Sequence, residues 1–163
     1  MGSGKSAVGH RLASKLKMDY LDTDELIEKT EKMTINEIFG DKGEEYFRDL
    51  ETEVIKTLGD YDNFVLATGG GMVLREENVK MLKEIGPLVL LWADPKVVFD
   101  RVNKHTHRPL LNVPDPVAEI KNILDKREPI YRKVADLVID TSKMTIDEEV
   151  DKIEEFVHAK NKG

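Results

Sequence analysis

The feature that most restricts the possible folds of this chain is the phosphate-loop pattern at its start. Residues 2–6 read Gly-Ser-Gly-Lys-Ser, which corresponds to the second half of the motif G-x-x-x-x-G-K-[ST]. In that motif, backbone N–H groups and a helix N-terminus surround a phosphate, the lysine reaches the phosphate oxygens, and the hydroxyl binds Mg²⁺. A Gly-Ser expression tag ahead of an ordinary helix is the alternative. Apolar residues at helical spacing after Ser6 favour the phosphate loop.

The composition excludes several classes of protein. The 163 residues include no cysteine, so neither disulfides nor thiolate metal sites are available. A net charge of −7 disfavours nucleic acid as a partner. We find neither a long apolar run nor a signal peptide, and we expect a cytoplasmic monomer without a membrane segment. His105 and His107 are close in sequence, and a solvated loop explains them better than a metal site.

Four short apolar segments alternate with helical patterns along the chain. A continuous apolar strand is typical of a parallel sheet covered on both faces, and the alternation predicts a doubly wound α/β fold with helices on both faces. We expect a single domain over residues 1–163, with substrate-binding helices at about 25–60 and a lid at 104–115. The expected strands cover residues 18–21, 64–67, 88–92 and 137–139.

Apolar periodicity and capping patterns predict the helices. Thr34-x-x-Glu37 and Thr145-x-x-Glu148 have the form of capping boxes, and Gly40 is expected to end the helix that Thr34 opens. The other expected helices cover residues 5–16, 25–30, 41–58, 76–85, 95–103 and 116–131, and the last one ends near residue 159.

Residues suited to chemistry follow two of the predicted strands. Asp22 and Asp24 lie two positions apart, so on a strand their side chains would project to the same side. Residues 69–71 are three glycines whose bare N–H groups would face a ligand; a tight turn is the simpler explanation. Ligands of an open parallel sheet bind at the carboxyl ends of its strands. Helix capping would explain an isolated Asp-x-Asp, but the nearby phosphate loop favours metal and substrate binding.

Several motifs together resemble the shikimate kinases, small phosphate-loop kinases related to the nucleoside monophosphate kinases. The motifs occur in the family's order and spacing over almost the whole chain; they are G-S-G-K-S, L-D-T-D, G-E-x-x-F-R-x-x-E, T-G-G-G and R-P-L-L. The G-K-S part alone is typical of a broad nucleotide-binding superfamily, whereas the ensemble is specific. The resemblance implies transfer of the γ-phosphoryl group of ATP to the 3-hydroxyl group of shikimate, in the biosynthesis of aromatic amino acids.

The resemblance also implies roles on the nucleotide side. Lys5 and Arg108 would contact the transferring phosphoryl group, Ser6 and Asp22 would hold Mg²⁺, and Arg101 would pack on the adenine. The implied nucleotide-binding residues are Gly2, Ser3, Gly4, Lys5, Ser6, Ala7, Arg101 and Arg108.

On the acceptor side, the resemblance implies that Asp24 is the catalytic carboxylate. Arg48, held by Glu51, would bind the substrate carboxylate together with Arg127, because a planar fork of donors suits bidentate recognition. A surface ion pair between Arg48 and Glu51 is the simpler alternative. The implied substrate-binding residues are Asp24, Arg48, Gly69, Gly70, Gly71 and Arg127.

Three further points stay open at this stage. A kinase for another small polyol acid such as gluconate is the alternative enzyme, because it would share the phosphate loop and the size of the chain. A nucleotide-binding module without catalysis is an alternative of a different functional class. The first glycine of the phosphate loop and the strand that leads into it would lie before Met1. We therefore expect native residues upstream, with their strand flanked by the segments at 64–67 and 137–139.

Overall fold

The computed structural model describes residues 3–104 and 113–163. Over these ranges the chain is an α/β structure with parallel strands, and it divides into two compact units. We call Gly9–Gly86 the central unit, and Met1–Val8 with Pro87–Gly163 the terminal unit. The strands are β1 (Asp19–Asp22), β2 (Phe64–Ala67), β3 (Val89–Trp92) and β4 (Leu137–Asp140). The helices are α1 (Lys5–Leu16), α2 (Thr23–Glu31), α3 (Ile35–Thr57), α4 (Glu76–Ile85), α5 (Pro95–Asn103), α6 (Pro116–Val134) and α7 (Ile146–Asn161).

The central unit is built on one parallel strand pair. β1 pairs with β2 in a register that opposes Asp19 to Phe64 and Asp22 to Ala67. Its core forms where α2 and α3 pack against each other, because their apolar residues recur at helical spacing. The buried members of this core are Ile27, Ile38, Phe47 and Val54.

The terminal unit repeats the arrangement with a second parallel pair. β3 pairs with β4, with Val89 opposite Leu137 and Trp92 opposite Asp140. The core of this unit lies between α5 and α6 and comprises Ala93, Val98, Val102, Ile120 and Leu124. Both pairs are parallel, as the apolar strand sequences predicted.

Both predicted capping boxes form. The Thr34 hydroxyl accepts a hydrogen bond from the Glu37 N–H at 3.2 Å, and the Glu37 carboxylate accepts one from the Thr34 N–H at 2.7 Å. Thr145 and Glu148 repeat this reciprocal pair at the start of α7. These bonds satisfy N–H groups that the first turn of a helix leaves unpaired.

The predicted helix boundary at Gly40 is wrong. Gly40 stays inside α3, and the chain breaks instead at Gly43, where φ is 85° and ψ is 171°. A φ in that range is strained for residues that carry a Cβ, so glycine suits the kink. The helix that was expected to end near residue 131 also runs further: α6 continues past Pro129 to Val134.

Some expectations lie outside the described residues. These are Gly2, most of the 104–115 lid with Arg108, and the pair His105 and His107. The strand expected before Met1 and the single-domain boundary stay predictions. Each helix within the described residues is too short or too polar to span a bilayer.

Candidate active site

The spacing of Asp22 and Asp24 suggested that both lie on one strand. The structure shows that they do not. Asp22 ends β1 and is the N-cap of α2: its Oδ1 accepts hydrogen bonds from the N–H groups of Asp24 at 2.8 Å and Glu25 at 3.3 Å. Asp24 therefore belongs to the first turn of the helix, where a carboxylate is favoured by the helix dipole. Capping uses only Oδ1 of Asp22; its Oδ2 accepts a hydrogen bond from the Tyr20 hydroxyl at 3.3 Å.

Thr23, which no sequence motif identifies, connects α2 to the glycine segment. Its side chain is fully buried, and its Oγ1 accepts a hydrogen bond from the Gly69 N–H at 3.0 Å. The N–H of the first glycine is therefore already bonded within the protein, which corrects our expectation of bare N–H groups along the segment. The segment then turns, and the Met72 N–H donates to the Gly69 carbonyl at 3.2 Å.

Two carboxylates lie against the first glycine. A Cβ at Gly69 would be 2.9 Å from Oε1 of Glu51 and 3.1 Å from Oδ1 of Asp24. Glu51 is fully buried on α3. A side chain at position 69 would displace these carboxylates, so the absence of a Cβ brings α2, α3 and the glycine segment together.

The third glycine makes room for a cation. A Cβ at Gly71 would overlap the guanidinium of Arg48. That guanidinium donates from Nη1 to Oε2 of Glu51 at 2.8 Å and from Nη2 to Oε1 of Glu44 at 3.1 Å. The predicted pairing of Arg48 with Glu51 is therefore present, and it is not an exposed pair, because the Glu51 side chain is 0% exposed and the Arg48 side chain 13%.

The electrostatic environment keeps Arg48 charged. Burial opposes its charge, but the hydrogen bond and charge of Glu51, together with those of Glu44, outweigh burial and raise the pKa of Arg48. The guanidinium has more N–H donors than these two bonds use. Arg48 is thus a fixed, half-buried cation beside a glycine turn, a suitable arrangement for binding an anionic group.

The phosphate-loop residues lie at the start of α1, in the terminal unit. Gly4 has a φ of 90°, a conformation that favours glycine, and its carbonyl accepts a hydrogen bond from the Val8 N–H at 3.0 Å. Lys5 is half-buried, whereas Ser6 and Ala7 are exposed at the first turn of the helix. The N–H groups of this turn point along the helix axis, as phosphate binding requires.

Arg101 lies close to this loop. Its Nη1 donates to Oγ1 of Thr141 and its Nη2 to the Thr141 carbonyl, each at 3.0 Å. Thr141 is 1% exposed, and its hydroxyl lies 3.2 Å from the Ser3 carbonyl. Thr141 was not predictable from the sequence, because a threonine after a strand has no motif that distinguishes it. Burial raises the pKa of the nearby Glu149, and the charge of Arg101 partly offsets that rise.

Arg127 lies on α6 and is half-buried. Its predicted role as a second carboxylate-binding arginine stays a prediction, as does the role of Arg108.

The residues expected to hold Mg²⁺ provide oxygen donors only. Ser6 offers an exposed hydroxyl and Asp22 a carboxylate whose Oδ1 caps α2. Mg²⁺ prefers such donors and keeps several of its waters, so each of these residues suits the ion by its own chemistry. Within residues 3–104 and 113–163 there is no cluster of three or more His, Cys, Asp or Glu side chains that could hold a metal by themselves.

Comparisons with known proteins agree on one family. A family profile described as shikimate kinase matches residues 1–158. A shikimate kinase of Thermodesulfovibrio yellowstonii is 48% identical over 94% of this chain and 88% of that relative. One of Francisella tularensis subsp. novicida is 42% identical over 96% of this chain and 90% of that relative.

Solved structures give the same result. The shikimate kinase from Acinetobacter baumannii in complex with shikimate has a TM-score of 0.90, with 36% identity, 98% of this chain covered and 89% of that one. The enzyme from Aquifex aeolicus has a TM-score of 0.83 at 37% identity and covers 99% of this chain and 94% of its own. The predicted α/β kinase fold is therefore confirmed.

Proposed function

Since this chain belongs to the shikimate kinase family and is an ATP-dependent phosphotransferase, we propose that Asp24, Arg48 and residues 69–71 form the shikimate side of its active site. The reaction transfers the γ-phosphoryl group of ATP to the 3-hydroxyl group of shikimate. The observation that carries the assignment is the contact of one guanidinium and two carboxylates with a glycine turn, where side chains at positions 69 and 71 would leave no space.

Arg48 binds the carboxylate of shikimate in this proposal. Glu51 and Glu44 fix the guanidinium in one orientation, so little conformational freedom is lost when the substrate binds. The carboxylates of Glu51 and Glu44 already offset part of the charge of this guanidinium. We assign to Arg127 the role of a second cation for the anionic substrate.

Asp24 orients the attacking hydroxyl and accepts its proton. Its place at the first turn of α2 fixes the backbone, and Gly69 leaves space beside its Oδ1. In phosphoryl transfer the protein contributes mainly positioning and charge stabilisation. On the nucleotide side we assign charge stabilisation to Lys5 and Arg108, phosphate binding to residues 2–7, and packing on the adenine to Arg101.

Mg²⁺ would be held by Ser6 directly and by Asp22 through water. When bound, the ion neutralises charge on the phosphate oxygens of ATP. We also propose that the enzyme works as a monomer in the cytoplasm; a chain without cysteine suits a reducing compartment. Light scattering in dilute solution tests the monomer, since a dimer would double the measured mass.

The test is a kinetic comparison of the wild type with Asp24→Asn. The substitution keeps the volume of the side chain but removes the charge that accepts the proton. We expect kcat for shikimate to fall by about 10²- to 10⁴-fold, with KM for MgATP little changed. The product of the wild-type reaction, examined by phosphorus–proton NMR, should carry phosphate on the 3-hydroxyl.

Asp19→Asn is the matched control, because Asp19 is an exposed carboxylate at the opposite end of β1. It should react like the wild type. A wild type that phosphorylates gluconate and not shikimate would overturn the substrate, and an Asp24→Asn enzyme with full activity would overturn the role of Asp24.

A further inference from the structure

Two buried polar residues join α3 to α4, and no motif singled them out. Thr52 is 5% exposed and Asn78 is 1% exposed, and the Thr52 hydroxyl donates to Oδ1 of Asn78 at 2.8 Å. Valine and leucine would fill similar volumes without any need for a hydrogen bond. A hydrogen-bonded polar pair differs from an apolar pair in being directional, so it specifies one arrangement of the elements it connects.

The amide of Asn78 also holds the backbone beside the glycines. Its Nδ2 donates to the Met72 carbonyl at 2.9 Å, and Met72 directly follows Gly71. Met72 also closes the glycine turn, because its own N–H donates to the Gly69 carbonyl. Both peptide groups of Met72 are therefore fixed, one by the turn and one by Asn78.

Thr52 lies on the helix that presents the acceptor-binding residues. It is one turn after Arg48, with its Oγ1 3.3 Å from the Arg48 carbonyl, and it directly follows Glu51. Thr52 of α3 is thus connected through Asn78 to Met72. The neighbouring Gly71 in turn packs against the Arg48 guanidinium of α3, so the glycine turn is connected to this helix at two places.

Arg75 supports this connection from the solvent side. Its guanidinium donates to Asp49 at 2.8 Å, to Glu45 at 2.6 Å and to Thr52 Oγ1 at 3.3 Å. Asp49 and Glu45 are on α3, so the segment after the glycines is held to that helix by a buried and an exposed set of bonds. The exposed ion pairs contribute little by themselves, which leaves the buried pair as the main determinant of the spacing.

We propose that Thr52 and Asn78 are positioning residues, which set the distance between the glycine turn and the Arg48 guanidinium and thereby the affinity for shikimate. The inference rests on the proposed function of the glycine turn and Arg48. The spacing is sensitive because no room for even a methyl group remains between Gly71 and the guanidinium. A small displacement of the turn therefore moves the group that binds the carboxylate.

The experiment compares Thr52→Val with Thr52→Ser, and adds Asn78→Leu. Thr52→Val keeps the shape but loses the hydroxyl, whereas Thr52→Ser keeps the hydroxyl. We expect Thr52→Val and Asn78→Leu to raise KM for shikimate about tenfold or more, with KM for MgATP within about twofold of the wild type. Thr52→Ser should restore a KM near the wild-type value.

Leu82→Ala is the control for a purely structural effect. Leu82 is a buried residue of α4 one turn beyond Asn78, so its truncation lowers Tm and should leave KM for shikimate unchanged. An equal rise of KM in Leu82→Ala, or a Thr52→Val enzyme with lowered Tm and unaltered KM, would overturn the proposal. If Asn78→Leu does not fold, the two Thr52 variants decide.

Failure of this inference is distinguishable from failure of the proposed function. A wild type that does not turn over shikimate contradicts the function itself. A wild type that turns over shikimate, with the same KM in the Thr52→Val variant, contradicts only the positioning role.

Discussion

The glycines of the two units serve different purposes. In the central unit, Gly69 and Gly71 leave room for charged side chains, two carboxylates at the first and the Arg48 guanidinium at the second. In the terminal unit, Gly4 is needed for its backbone conformation at a φ of 90°, and a Cβ there would meet Nη1 of Arg101 only at 3.9 Å. The proposed acceptor side therefore depends on the packing of charged side chains, and the phosphate loop depends on a backbone conformation. Substitutions on the proposed acceptor side should affect stability and binding together, whereas truncation of a phosphate-loop side chain such as Lys5 should affect mainly binding.

The largest expected difference is between Arg48→Ala and Lys5→Ala. Arg48→Ala removes the cation that is bonded to the buried Glu51, and breaking a buried pair costs roughly 3–5 kcal/mol of unfolding free energy. Lys5→Ala, at the start of α1, removes a half-buried side chain and should lower that free energy by about 1 kcal/mol, the centre of the range for single substitutions. Urea unfolding of both variants without ligand measures the difference.

The stabilisation by bound MgATP should differ between the same two variants, and here Lys5→Ala should be the one that is affected. At a concentration of about 100 times Kd, a ligand adds roughly 2.7 kcal/mol to the free energy of unfolding. We expect MgATP to raise the Tm of Arg48→Ala as it does that of the wild type, and to leave Lys5→Ala almost unchanged. Equal stabilisation of all three proteins would show that the phosphate loop does not depend on Lys5.

A smaller effect is expected from replacing single glycines by alanine. At Gly71 the new methyl group overlaps the Arg48 guanidinium, and such overpacking costs about 1–3 kcal/mol. Gly40→Ala is the control on the neighbouring helix α3: nothing lies within 4 Å of its Cβ position, and the change should stabilise the helix by about 0.5–1 kcal/mol. Thermal unfolding distinguishes the two variants. A stabilising effect of Gly71→Ala would contradict the close packing of Gly71 against the Arg48 guanidinium.

The smallest effects are expected at the two capping boxes, one in each unit. Hydrogen bonds from the backbone and side chain of Thr34 lower the pKa of Glu37, and those of Thr145 lower the pKa of Glu148. A lowered folded-state pKa means that the stabilisation is present above pH 4.5, the ordinary pKa of a glutamate, and is lost as pH falls through the folded-state pKa. The Tm of the wild type, measured as a function of pH, should therefore fall below pH 4.5. Glu37→Gln and Glu148→Gln should each make this fall smaller, by a similar and small amount.

Sequence patterns predicted correctly those helices, strands and caps that depend on residues close together in the sequence. The capping boxes at Thr34 and Thr145, the helix α1 and the strand β2 all follow from neighbouring residues. Gly43 was missed as the kink because Gly40 offers the same local preference, and only the tertiary structure selects between two glycines. The spacing of Asp22 and Asp24 in the sequence could not show that Asp24 lies in the first turn of a helix. Asp22 is both the last residue of β1 and the N-cap of α2.

The candidate site was predictable where motifs exist and unpredictable where contacts cross the sequence. Asp24, Arg48 and Glu51 were identified through a family resemblance, and the structure places them together at the glycine turn. Thr23, Thr52 and Asn78 have no pattern in sequence, because their partners lie 46 and 26 positions away. Buried polar residues of this kind are recognisable only once the fold brings their partners together.

The central claim is that the fixed guanidinium of Arg48 recognises a carboxylated acceptor, and the selectivity between shikimate and its carboxamide tests it most directly. The values of kcat/KM for both compounds are measured in the wild type and in Arg48→Lys, which keeps the charge but loses the planar fork. We expect the wild type to prefer shikimate by about 2–5 kcal/mol of transition-state binding, and most of that preference to disappear in Arg48→Lys. Equal turnover of acid and amide by the wild type, or an unchanged preference in Arg48→Lys, would contradict this account of the acceptor site.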